Sequence, residues 1–347
     1  MALNSMALSQ QFPSSQPGRI GWPWTQGTEP LLPLKKSGQP LPKISVVTPS
    51  FNQGQFIEET IRSVLLQGYP NLEYIIIDGG STDTSVEVIK RYEPWLSYWV
   101  SEKDNGQAHA INKGFSRATG DIFAYINSDD IYGEGILTEV ARIYLEAPDN
   151  FWISFSMEDF DEAGIRYPRP VSEFHSLYTW IYRAEMIPQP SCFWSRHLHL
   201  EINGFDENMH YAFDKDFFVR LLIRGFMYKA YPETIGSYFR LHPNSKTCST
   251  LEKFAPDEDL IKRKAEGLLS VKQHREIQKR KRHNRAVDAL SAAQTQRNAG
   301  FLHAQSQLLK SLTIEPAMLF DRMFWGRLKR NLIPRQGRSE KSVVLDE

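Results

Sequence analysis

Cysteine is nearly missing from this 347-residue chain, which has two, Cys192 and Cys248. Two cysteines exclude a disulfide-stapled scaffold, and a reducing compartment is expected. Net charge is missing too, with 41 Lys plus Arg against 41 Asp plus Glu. That balance gives no electrostatic footprint for nucleic acid, and no such partner is expected. No run reaches the roughly 18–20 apolar residues of a spanning helix. The first residues lack the basic start and apolar centre of a secretion signal. A cytoplasmic protein is the expectation.

What is there sorts into three regions. Residues 1–42 are rich in Ser, Pro, Gln and Gly without a sustained period. Such a segment buries too little apolar surface to offset its ordering entropy, so a mobile arm is predicted. Trp22 and Trp24 are the exception and are candidates to pin part of it. Residues 43–249 alternate strand and helix patterns. KISVVTPS, EYIIIDGGSTD, LSYWVSE and DIFAYINSDD read as strands. GQFIEETIRSVLLQG, TDTSVEVIKRYEPW and GQAHAINKGFSRATG carry apolar residues at helical spacing and stop at Gly or Pro. This order predicts an α/β fold with a mainly parallel sheet and helices on both faces. Further on, FWISFSMEDFDEAG with IRYPRP predicts a hairpin, DKDFFVRLLIRG a helix, and MYKAYPETIGSYFRLH returning strands. Residues 250–347 read as a helical, basic extension.

The strand ends carry the chemistry. In an open α/β sheet, ligands gather at the carboxyl ends of the strands. TPSFN (48–52) turns from strand to helix there, with exposed amides suited to an anion or a base. A plain turn capped by Ser50 or Asn52 is the alternative. In DGGSTD (78–83), Asp78 ends a strand of three isoleucines and is placed to accept from a base N–H or a ribose hydroxyl. Gly79 and Gly80 let a ligand approach the backbone. In INSDD (126–130), adjacent carboxylates repel unless a cation or hydrogen bonds compensate. Asp129, then Asp130, are candidate ligands for a hard divalent cation. Asp214 and Asp216 open a helix, where capping competes with a general-base role. His242 follows a strand and precedes a proline turn. Phe193 or Trp194 is placed either to stack on a sugar or to pack in the core.

ISVVTPSFNQGQFIEETIRSVLLQGYPNLEYIIIDGGSTD followed by SEKDNGQAHAINKGFSRATGDIFAYINSDD resembles the family 2 glycosyltransferases of GT-A fold, across about residues 43–245. The resemblance implies a Rossmann-like sheet in which Pro49, Ser50 and Asp78 cradle the nucleotide. The family's Asp-x-Asp motif falls on Asn127-Ser128-Asp129, so Ser128 and Asp129 would meet the donor, with Asn in place of the first carboxylate. Asp214 matches the catalytic base, in a motif that often reads Glu-Asp and here reads Phe213-Asp214. His242 matches a metal-binding histidine. Asp129, Asp130 and His242 are then the expected ligands of Mn2+ or Mg2+. Where many relatives carry an Arg before the Asn of the third helix, this chain has Ile111; Lys113 is the nearest basic substitute.

The implied activity is inverting transfer of a sugar from a nucleotide-diphospho-sugar, UDP-linked by expectation, to a hydroxyl of a saccharide or lipid-linked acceptor in polysaccharide or glycoconjugate synthesis. Two rivals remain at this level. A sugar nucleotidyltransferase should show a Gly-rich phosphate loop with a following Lys or Arg, which TPSFNQGQ lacks. A non-catalytic nucleotide-sugar or partner-binding module is favoured by Asn127 and opposed by retention of Asp129, Asp214 and His242. In the extension, seven Lys or Arg lie between Lys272 and Arg285 with one acid, Glu276. MLFDRMFWGRLKRNL has the composition of an interfacial helix, so peripheral contact with the inner face of a membrane is one expectation. Packing on the catalytic domain, or on a partner, is the other.

Overall fold

A computed structural model describes residues 11–14, 18–28, 40–183, 187–246 and 251–295, together with 310, 313 and 314. The first elements are β1 (Ile44–Ser50), α1 (Ile57–Leu65), β2 (Leu72–Asp78), α2 (Ser85–Tyr92), β3 (Tyr98–Ser101), α3 (Gln107–Arg117) and β4 (Ile122–Tyr125). They are followed by β5 (Ile131–Tyr132), α4 (Ile136–Glu146), β6 (Trp152–Phe160), β7 (Arg166–Arg169), α5 (Leu177–Tyr182), β8 (Cys192–Ser195) and α6 (Arg196–Glu201). The last are α7 (Phe213–Ile223), β9 (Lys229–Arg240), α8 (Phe254–Leu268) and α9 (Val271–Thr295).

β1 is buried along its whole length, as its continuous apolar run requires of a strand covered on both faces. It pairs in parallel with β2 and β4, and β2 pairs in parallel with β3. The sheet order is β3-β2-β1-β4-β8-β6-β9-β5, with β7 on β6. Beyond β4 the pairing becomes mixed: β8 is antiparallel to β4 and β6, while β9 runs parallel to β6. The expected hairpin is β6–β7, and the expected returning strands are the single long β9. α1 buries Ile57, Ile61 and Val64 in the main core with Ile44, Val46, Tyr74 and Ile76. Gly114 lets α3 lie close to the sheet, because an added Cβ would stand 2.4 Å from Val47 Cγ1.

Two regions differ from the expected division at 42 and 249. Within the arm, Trp24 is buried, and the Trp22 indole N–H donates to Tyr132 O at 2.8 Å. Arg62 of α1, itself buried, donates to the carbonyls of Pro13, Pro23 and Trp24. Hydrogen bonds from a charged donor contribute about 1.5–3 kcal/mol each. Of the arm, residues 1–10, 15–17 and 29–39 lie outside the described set. At the other end, the first compact unit runs to Leu268, so α8 belongs with the sheet. Asp257 of α8 accepts the amides of His210, Tyr211 and Ala212. Lys264 bridges Asp206 and Asp216, and Glu258 pairs with Lys215. α8 therefore clamps α7 and the loop before it.

In the second unit, α9 carries the basic cluster, and its apolar residues do not gather on one face. An interfacial helix needs such a face. The segment MLFDRMFWGRLKRNL lies outside the described residues. Among the described residues, no helix is long and apolar enough to cross a membrane.

Candidate active site

The parallel strands end level with one another. Register sets Ser50 beside Asp78, and Asp78 beside Ser101. Asp78 is fully buried. Its Oδ2 accepts from Gly80 N–H at 3.1 Å, Ser81 N–H at 2.8 Å and the Ser101 hydroxyl at 2.7 Å. Its Oδ1 accepts from the Ser81 hydroxyl at 2.5 Å. The carboxylate thus shapes the Gly79–Ser81 loop from beneath. A Cβ at Gly79 would lie 2.6 Å from Asp104 Oδ2, so a side chain there would have to displace that carboxylate. Gly79 N–H donates to Ser50 O at 2.8 Å, which ties the two strand ends together. Pro49 and Ser50 are buried, and the Ser50 hydroxyl has no hydrogen-bond partner among the described residues. The next residue, Phe51, is 60% exposed at this edge.

The turn after β4 holds the acidic motif. Asp130 N–H donates to Asn127 O at 3.2 Å and closes it. Asp130 is buried, accepting from Arg240 N–H at 3.1 Å and from Asn127 Nδ2 at 3.2 Å. Burial, with the neighbouring Asp129 charge, pushes its carboxyl well above the usual carboxylate range. Asp129 keeps a partly exposed carboxylate, 3.0 Å from His242 Nε2. The topology explains that meeting. β5 begins at Ile131 and pairs antiparallel with β9, setting Ile131 against Tyr238. The residues just before β5 therefore face those just after β9, and Asp129 meets His242 across 113 positions.

The expected three-residue metal set does not assemble. Among the described residues no three His, Cys, Asp or Glu side chains group as ligands. Asp129 and His242 come together, while Asp130 is engaged by Arg240 and Asn127. The pair itself fits a divalent cation: one carboxylate oxygen, the donor Mg2+ and Mn2+ take, and one imidazole nitrogen, a common transition-metal donor, converge. The remaining positions would be left to water and phosphate, as is usual for Mg2+-type sites.

Asp214 lies in the first turn of α7, half-buried, and Lys215 N–H donates to its Oδ1 at 2.8 Å. Burial raises its carboxyl above the ordinary value, while the Lys215 and Lys246 charges oppose that rise. Asp216, two residues on, is bound by Arg220 and Lys264 and belongs to the scaffold. Lys246 Nζ donates to Gln107 Oε1 and to His210 O, both at 2.9 Å. Burial lowers its pKa, against the pull of Asp214, Asp257 and Asp104. Gln107 in turn donates to Asn127 Oδ1 at 2.6 Å. One polar chain thus runs from the acidic turn across the start of α3 to the surroundings of Asp214. Ser128 is buried within the turn.

Other expectations change. Phe193 and Trp194 are fully buried and belong to the core, so neither offers a face to a sugar. Ile111 is buried, and Lys113 pairs with Glu102. Sequence reasoning passed over Phe51, Asp104, Gln107, Arg240 and Lys246. The signal for Phe51 was an aromatic residue at the first position past a buried strand.

The family model described as Glycosyl transferase family 2 matches residues 45–201. An uncharacterized glycosyltransferase of Mycobacterium tuberculosis is 31% identical over 183 residues, covering 52% of this chain and 68% of that protein. TuaG of Bacillus subtilis, a putative teichuronic acid biosynthesis glycosyltransferase, is 36% identical over 108 residues, covering 30% of this chain and 43% of TuaG. The crystal structure of S. aureus TarS 1-349 in complex with UDP-GlcNAc superposes with a TM-score of 0.50 at 15% identity, covering 80% of this chain and 92% of that one. The last likeness is one of fold, and it agrees with the mixed GT-A sheet. With the matched strands, the acidic turn and the M. tuberculosis relative taken together, the chain belongs to glycosyl transferase family 2 and is a glycosyltransferase.

Proposed function

We propose that this enzyme transfers a sugar from a nucleotide-diphospho-sugar to an acceptor hydroxyl with inversion, in polysaccharide or glycoconjugate synthesis. The observation that carries the reading is the pairing of Asp129 with His242 at the sheet edge, in a turn whose Asn127 connects through Gln107 and Lys246 to the neighbourhood of Asp214. The Ser50–Asp78–Gly79 edge would seat the nucleotide, with Pro49 holding the turn and Ser128 beside the phosphates. Asp78 would act mainly by fixing the loop amides. Asp129 and His242 would hold a divalent cation, Mn2+ or Mg2+, which supplies Lewis-acid charge for the diphosphate. Asp214 accepts the acceptor's hydroxyl proton as that oxygen bonds to the anomeric carbon. The anomeric C–O bond to the diphosphate breaks on the opposite face, and the nucleoside diphosphate leaves with that electron pair. TarS was crystallised with UDP-GlcNAc and TuaG is named for teichuronic acid, which makes uridine donors and saccharide or lipid-linked acceptors the first to try.

The test is a panel of UDP- and GDP-sugars, scored for hydrolysis and for melting temperature with Mn2+ or with a chelator. A ligand that binds only the native state raises the melting temperature by mass action. Stabilisation and slow hydrolysis with one nucleotide class, stronger with Mn2+, are expected. No response to any donor in either condition would end this reading.

Phe51 offers a further check. An exposed ring beside the Asp78 loop is placed to stack on a nucleobase, an interaction of about 1–3 kcal/mol. Phe51→Ala should weaken UDP binding about 5–150-fold by titration calorimetry. Unchanged affinity would remove Phe51 from the donor site.

A further inference from the structure

The N-terminal arm reaches the Asp129 turn through three side chains. The Trp24 indole N–H donates to Glu59 Oε1 at 3.0 Å. Glu59 Oε2 accepts from Arg240 Nη2 at 2.6 Å. Arg240 then donates from Nε to Asp129 O at 3.0 Å, and from its amide to Asp130 Oδ1 at 3.1 Å. Its guanidinium lies 4.8 Å from the Phe56 ring centre and 4.4 Å from that of Phe160, so its plane is fixed. Phe56 also packs on the His242 ring, with centroids 4.7 Å apart. At the other end, Arg62 holds the carbonyls of Pro23 and Trp24 within the Trp22–Trp24 turn and that of Pro13 before it, and faces the Trp24 ring at 5.5 Å. The indole is therefore fixed at the start of the chain of bonds, and Asp129 stands at its end.

From this connectivity we propose that residues 21–28 are a working part of the enzyme: Trp24 and Glu59 are positioning residues that act through Arg240 to hold Asp129 against His242. The inference rests on the reading of Asp129 and His242 as the cation pair. A half-buried carboxylate such as Glu59 that loses one of its two donors can turn, and the guanidinium it orients turns with it. Arg240 bonds Asp129 directly, and removing a partner so placed behind a metal ligand typically changes metal affinity about 10–100-fold, which sets the ceiling for residues that act through it.

The full chain is compared with Trp24→Phe, which keeps the buried ring and removes the N–H, with Glu59→Gln, and with the double variant. Two readouts are taken. One is hydrogen exchange of the backbone amides of residues 126–132 in metal-free protein, which reports the local opening of the turn. The other is Mn2+ affinity in the presence of UDP, from the electron paramagnetic resonance signal of free Mn2+. Both single variants should exchange faster at 126–132 and bind Mn2+ more weakly, by up to about 10–100-fold, with UDP affinity in chelator unchanged. The double variant should be no worse than Glu59→Gln alone, because coupled residues are not additive. Unchanged exchange and Mn2+ affinity in both single variants would overturn the proposal. Additive losses in the double variant would overturn it too, since Trp24 would then act without Glu59. If the wild-type chain takes up no Mn2+ with UDP, the cation reading fails on its own, and faster exchange in the variants still supports the hold of the arm on the turn.

Discussion

Asp214→Asn is expected to lower the turnover number about 10²–10⁴-fold, the usual contribution of a positioned general base, with donor affinity nearly unchanged. The amide keeps the size of the carboxyl and an acceptor for Lys215 N–H, so the helix start should hold. The pH profile supplies a second sign. The base works deprotonated, and burial raises its pKa, so activity should rise with pH through a value above that of an ordinary aspartate. The groups that face it are Lys215 and Lys246, whose charges favour the carboxylate, and Tyr125 and Cys192, whose own titrations it raises. Lys246→Met removes one favouring charge and should move the acid limb to higher pH. If Asp214→Asn instead costs nucleotide binding at full turnover, the residue belongs to the donor side.

The second large effect separates two adjacent carboxylates. Asp129→Asn should abolish metal-dependent turnover, because it takes the only anionic ligand from the pair with His242. Asp130→Asn should leave most of it. An amide at 130 still offers an oxygen to Arg240 N–H, and the carboxyl it replaces is one that burial already disposes toward its neutral form. Steady-state rates over an Mn2+ series measure both. The reverse ranking, with Asp130 essential and Asp129 dispensable, would move the cation to the inner residue.

The sheet was legible in the sequence where physics is local. Buried strands such as ISVV and YIII announce themselves by apolar runs, and α1 by its spacing. Their polar ends mark one edge of the sheet, and Asp129 and His242, both singled out from the sequence, meet there. What failed was geometry set by distant pairing. Nothing near Asp129 or Asp130 says which one faces His242; that follows from β5 lying on β9. Phe193 and Trp194 were open to two readings until the mixed half of the sheet enclosed them. Composition averages over residues, and the part of the arm that docks is the part around the two tryptophans singled out as its exception. Two tryptophans and one buried arginine on α1 outweigh the Ser and Pro around them. Asp257 and Lys264 gave no local signal either, since their partners lie 45–58 residues earlier.

The clamp made by α8 also fixes where this protein can be cut. Family motifs end near residue 245, and a shortened form would naturally stop there. Such a chain discards Asp257, leaving the amides of 210–212 without their carboxylate just where α7 begins. It also leaves Lys215 without Glu258, and Asp216 without one of its two cations. The residue most exposed to that loss is Asp214, one position from Lys215. A chain ended at 249 is expected to keep the Asp78 edge intact and loosen the start of α7, whereas one ended at 268 retains the helix that clamps it.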